Sequence, residues 1–120
     1  MKLKALLVAM VAMVGIFIAT PAHASFNCNT GMLCLYNDAN YAGVVTAYSN
    51  PALGCYSLSG TSADNNISSI HNYTSHRIRM DIGYSCSNFF QADIGVGQSW
   101  ANLAGSGWND TFSSFQVLSN

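Results

Sequence analysis

The chain has 120 residues, 4 Lys+Arg against 5 Asp+Glu and a formal net charge of −1 at pH 7, which fits one domain. A nucleic-acid binder is excluded because no basic stripe is present to neutralise phosphates. Aromatic residues make up 12% of the chain, too many for an intrinsically disordered segment of modest charge.

The N-terminus comes first. Lys2 and Lys4, an apolar run over residues 5–19 broken by Gly15, and Ala22-His23-Ala24 read as a secretory signal over 1–24. At about 15 residues the run is shorter than the roughly 20 that a membrane span needs, so no membrane span is expected. Cleavage after Ala24 leaves residues 25–120, with Arg77 and Arg79 against Asp38, Asp64, Asp81, Asp93 and Asp110, and neither Lys nor Glu. The 12 Asn and 15 Ser of this stretch favour turns over helices, because their short side chains bond nearby backbone groups. Short β-rich runs between Gly, Asn, Asp and Ser clusters predict a small all-β sandwich or barrel.

Cys28, Cys34, Cys55 and Cys86 are an even set in a short exported chain and point to disulfides, with three pairings open. A turn at Gly31 brings Cys28 to Cys34, which leaves Cys55 for Cys86. A zinc site is not expected, because there is no C-x-x-C pair and neither His71 nor His76 has a cysteine close by.

Residues 33–36 read as a strand and 44–48 as its antiparallel partner. Between them Tyr36 and Tyr41, followed by Gly43, form an aromatic-x4-aromatic-x-Gly pattern. Two rings cover a folded-over hairpin there, and glycine permits a positive φ. Asp64-Asn65-Asn66-Ile67-Ser68-Ser69 and Asn109-Asp110-Thr111-Phe112-Ser113-Ser114 both read Asx-Asx-x-x-Ser-Ser, 45 positions apart. Composition alone predicts about 0.1 such match, so the pair marks a duplication. Strand-like runs follow each segment, at 70–74 and 115–118, and residues 77–80 alternate at the start of the second half. That half has no second aromatic corner; residues 80–84 stand where it would fall.

The aromatic corner and the paired Asx segments resemble the βγ-crystallin superfamily. Cys28-Asn-Thr-Gly31-Met-Leu-Cys34-Leu-Tyr36 is similar to small secreted actinobacterial proteins grouped with the Streptomyces metalloproteinase inhibitor. The resemblance implies an all-β, βγ-crystallin-like double Greek-key sandwich over 25–120, with one Greek key at about 28–75 and the other at about 76–120. It also implies weak binding of up to two calcium ions. The Asn66 carbonyl and Ser68 hydroxyl would serve one, and the Thr111 carbonyl and Ser113 hydroxyl the other. Asp64, Asn65, Asn109 and Asp110 would orient or ligate, and Asn37, Asp38 and Asp81 are candidates for a crossed contribution. With one carboxylate per segment, affinity is expected in the extracellular range of about 10⁻⁴ to 10⁻³ M. The alternative is that these oxygens bond the loop's own backbone, as in Asx-turns.

Resemblance further implies a secreted, monomeric peptidase inhibitor directed at an extracellular metalloprotease. Its inhibitory loop would lie after the first strand of the second half, beside a cysteine, at Cys86 and Ser87. Ser87 is not the bulky apolar residue that thermolysin-like proteases favour after the scissile bond. Phe89 and Phe90 are expected in the core of the following strand, with a role as apolar anchors the alternative. A calcium-stabilised structural or killer-toxin-like protein without a protease target is the competing reading. No enzyme is expected: no G-x-S-x-G elbow is present, no Asp pair stands out for glycoside hydrolysis, and His71 is expected to be bonded within its sheet. Trp100 and Trp108 are expected to pack over the hairpin or between sheets, with carbohydrate or membrane contact as the alternative. The N-x-[ST] matches at Asn66, Asn72 and Asn109 are discounted in so Asn- and Ser-rich a chain.

Overall fold

The computed structural model describes residues 26–120; the expected signal over 1–24 lies outside them. Eight strands follow in order: β1 (Met32–Asp38), β2 (Ala42–Ser49), β3 (Gly54–Ser57), β4 (Ser69–Asn72), β5 (Ile78–Asp81), β6 (Gln91–Ile94), β7 (Ser99–Trp100) and β8 (Ser114–Val117). They form two four-stranded sheets, β2-β1-β4-β7 and β3-β8-β5-β6, with every pairing antiparallel. Each half of the chain therefore sends its third strand into the sheet built mainly by the other half. That exchange makes the two Greek keys one body. No helix among the described residues is long and apolar enough to cross a membrane.

Alternation places the core. Leu33 and Leu35 of β1, Ile70 of β4, Ile78 and Met80 of β5, and Phe115 and Val117 of β8 are buried and meet between the sheets, as a period-two pattern requires when one face of each sheet is covered. Leu35 sits opposite Ile70, and Met80 opposite Phe115. Asn72 is also fully buried. Its Nδ2 donates to His76 O (2.9 Å), Gly95 O (3.0 Å) and Ile94 O (3.2 Å), and its Oδ1 accepts from Thr74 N (3.1 Å) and Thr74 Oγ1 (2.7 Å). The end of β4 is thus tied both to the linker between the halves and to the end of β6.

Cys28 bonds Cys34, and Cys55 of β3 bonds Cys86. Both arginines converge on one carboxylate: Arg79 grips Asp93 with two hydrogen bonds of 2.7 and 2.9 Å, and Arg77 Nε lies 3.3 Å from it.

On the outer face of the first sheet, His71 stacks between Tyr41 (centroids 3.6 Å apart) and Tyr73 (4.7 Å), and its Nδ1 shares a 2.6 Å hydrogen bond with Ser99 Oγ. His71 is bonded within the sheet, as expected. Burial holds its imidazole below the ordinary histidine value, so folding favours the neutral ring. That stabilisation is complete above the unfolded value of about 6.5 and is lost as pH falls through the depressed folded value. The His71 ring protons should therefore shift, in an NMR series, at lower pH than those of a denatured control. Coincident curves would contradict the assignment.

Trp108 stacks on Phe112 (5.5 Å, 12°), and Trp100 packs on the core; both indoles serve packing, in keeping with the expectation.

Candidate functional site

Each Asx segment wraps the start of an inward strand, and the two are built alike at an offset of 45 residues. The second residue of each, Asn65 and Asp110, takes a positive φ of 53° and 58°, a conformation that Asn and Asp tolerate better than other side chains. Their amides cross over to the opposite segment: Asn65 N–H donates to Phe112 O (2.9 Å) and Asp110 N–H to Ile67 O (3.1 Å). Ser113 Oγ donates to Asn65 Oδ1 at 3.1 Å. The two segments therefore form one joined surface, although they lie far apart in the chain.

The last serine of each segment locks a hairpin. Ser69 Oγ donates to Asp38 O (2.6 Å) and accepts from Tyr41 N (3.0 Å); Ser114 Oγ donates to Gly83 O (2.6 Å) and accepts from Cys86 N (3.2 Å). By the same offset Cys86 stands where Tyr41 does, and both have a positive φ, 57° and 59°. Asp81 stands where Tyr36 does.

In the first hairpin the two rings meet edge to face at 5.7 Å, and Gly43, at φ +80°, lies under Asp38, whose Oδ2 would be 2.5 Å from any added Cβ. The second hairpin keeps the backbone path with other chemistry. Asp81, fully buried, accepts from Gly83 N (2.6 Å), Asn88 N (2.9 Å) and Gln91 Nε2 (2.8 Å), and the Cys55–Cys86 bond takes over the anchoring done by Tyr41. The Asp81 carboxylate thus organises the hairpin, while its backbone carbonyl accepts from Ser113 N–H (2.9 Å) in the second Asx segment.

Asn37 does reach it. One end of its amide lies 3.0 Å from Ser62 O and 3.2 Å from Asn66 O, and the other lies 3.1 Å from Asn66 Nδ2. The carbonyls are satisfied when the nitrogen faces them. Asp38 stays on the hairpin, and its counterpart in the second half is Gly83. Tyr84, from the second hairpin, donates through its hydroxyl to Asp64 Oδ2 at 2.8 Å; sequence reasoning missed this contact. Asp64 Oδ1 and Asn109 Oδ1, at matching first positions, are buried without a hydrogen-bond partner. A buried oxygen of this kind costs about 1–3 kcal/mol. Beside them a cleft of about 590 Å³ is lined by Asn65, Asp110, Thr111, Ile82, Phe90 and Trp108.

Phe89 and Phe90 depart from the expected core placement. Phe89 is 99% and Phe90 64% exposed, because β6 begins only at Gln91 and the backbone before it is committed to the hairpin. Among the described residues no cluster of three His, Cys, Asp or Glu side chains is placed to hold a metal.

Two packed Greek keys with exchanged strands define a βγ-crystallin-type domain. Solved structures agree on the fold. A structure from work on the evolution of the eye-lens βγ-crystallin domain fold has a TM-score of 0.65 at 19% identity, over 82% of this chain and 95% of that one. An archaeal βγ-crystallin gives 0.56 at 20% over 75% and 100%, and a double mutant of a βγ-crystallin domain from Clostridium beijerinckii gives 0.58 at 20% over 76% and 100%. No curated protein matches the chain by sequence. The family model for peptidase inhibitor family I36 matches residues 21–92; the chain belongs to that family, one of inhibitors and not of enzymes.

Proposed function

We propose that this protein is an extracellular inhibitor of metalloproteases that presents the second hairpin, residues 82–90, to its target, and that its paired Asx segments bind calcium weakly. The observation that carries the inhibitor reading is the construction of that hairpin. A disulfide, a buried carboxylate and Ser114 hold it, while Tyr84, Phe89 and Phe90 stay exposed. A loop held in shape before docking loses little conformational entropy on binding. The stretch matched by the inhibitor family includes this hairpin. Two disulfides suit an oxidising, extracytoplasmic setting, as does the signal read over 1–24.

Calcium is supported by the unpartnered Asp64 Oδ1 and Asn109 Oδ1, since a hard cation takes 6 to 8 oxygens and would satisfy both. Asn66 O and Ser68 Oγ would serve the first ion, with Asn37 turning its oxygen inward; Thr111 O and Ser113 Oγ would serve the second. Bound calcium would supply no catalysis, only cross-linking of the two halves.

Thermolysin inhibition at micromolar protein tests the first part; full protease activity there would refute it. For the second, 1 mM calcium should raise stability by about 0.4–1.4 kcal/mol per site if affinity lies in the range of 10⁻⁴ to 10⁻³ M. That corresponds to a melting-temperature gain of several degrees, reversed by EGTA. A melting curve indifferent to both additions would reject the ion site.

A further inference from the structure

We propose that Phe89 is the side chain with which the hairpin engages its protease, entering the apolar pocket that accepts the residue after the scissile bond, so that the loop presents Asn88–Phe89 and not Cys86–Ser87. The inference rests on the inhibitor reading. Cys86 is partly buried and bound in three directions: by the disulfide to β3, through its amide to Ser114 Oγ, and through its carbonyl, 3.4 Å from Gln91 Nε2. Ser87 is small and polar, and its hydroxyl hydrogen-bonds Ser85 Oγ at 2.8 Å. Neither residue offers apolar surface to a pocket.

Phe89 does. Its side chain is 99% exposed, yet the backbone on both sides is fixed: Asn88 N–H donates to Asp81 Oδ2 (2.9 Å) and Phe90 N–H to Asn88 Oδ1 (3.0 Å). A free aromatic ring on a pinned backbone bears an unfavourable hydration cost in the lone protein that docking removes. Phe90 differs, because it lines the cleft with Ile82 and Trp108. The hairpin 82–90 contains no charged side chain, so little ionic desolvation opposes docking.

Thermolysin is the probe, with wild-type protein, Phe89→Ala and Ser87→Ala compared for inhibition constant and melting temperature. Phe89→Ala should weaken inhibition about 10- to 100-fold, the worth of one fully buried Phe, without shifting the melting temperature. Ser87→Ala should change inhibition by less than about threefold. On long incubation the protease should add one water across Asn88–Phe89, leaving a carboxylate on Asn88 and a new amino terminus at Phe89, read by mass spectrometry after denaturation. A new terminus at Ser87, or a larger effect from Ser87→Ala, overturns the anchor and leaves the inhibitor reading intact. Rapid cleavage at Asn88–Phe89 without inhibition refutes the inhibitor reading and keeps the contact. No inhibition and an uncut loop overturn both.

Discussion

Replacing Cys55 and Cys86 by serine will lower the melting temperature by roughly 12–32 °C. The bond closes a loop with a sequence separation of 31, which in the chain-entropy model is worth about 3–4 kcal/mol, and each kcal/mol moves the midpoint of a domain this size by about 4–8 °C. The Cys28–Cys34 bond spans a separation of only 6 and by the same relation is worth about 2 kcal/mol. The two double variants should therefore differ, with the longer loop dominating. Geometry points the same way: the Cys28–Cys34 bond ties the start of the described chain to its own first strand, whereas Cys55–Cys86 joins β3 of one half to the hairpin of the other. In that hairpin no aromatic ring stands at the position of Tyr41, so loss of the bond removes the main packing anchor and should also abolish inhibition. Equal losses for the two pairs, measured by thermal unfolding, would show that the second hairpin is held by Asp81 and Ser114 alone.

Asn72→Ala is expected to cost about 3 kcal/mol. The side chain is fully buried and hydrogen-bonded to His76, Ile94, Gly95 and Thr74, and truncation leaves several of those groups without a partner, each at about 1–3 kcal/mol less whatever water recovers. Asn72→Asp is the sharper test. The carboxylate nearly matches the amide in shape but donates nothing, and it sets negative charge against three carbonyl oxygens. If donation by Nδ2 is what matters, Asp should be at least as damaging as Ala in chemical denaturation. An Asp variant close to wild type would mean that shape alone is needed. Either loss is large against a total stability of about 5–14 kcal/mol for a domain of this length.

Much of the architecture was legible because it is local. Strands β1, β2, β4 and β8 stood out as short β-rich runs between turn-forming clusters, and β5 by its alternation. Gly31 between Cys28 and Cys34 marked the first disulfide, and the duplicated Asx-Asx-x-x-Ser-Ser marked the two halves. Even the second hairpin was within reach. Carrying the 45-residue offset past the Asx segments sets Cys86 on Tyr41 and Asp81 on Tyr36, which identifies a hairpin whose rings are replaced by a disulfide and a carboxylate. Searching for aromatic residues hid it, since what the position requires is an anchor and a backbone with positive φ.

Composition, patterning and the repeat thus determined that this chain makes a cross-linked, duplicated β-sandwich carrying two oxygen-rich segments. Only the tertiary structure decided that β3 and β7 exchange sheets, that Tyr84 reaches Asp64, that Asp81 is occupied by backbone amides, and that Phe89 lies in solvent. Those outcomes depend on which surfaces meet after the halves pack. An apolar residue next to a strand carries the same sequence signal whether a partner element covers it or the preceding hairpin holds it clear.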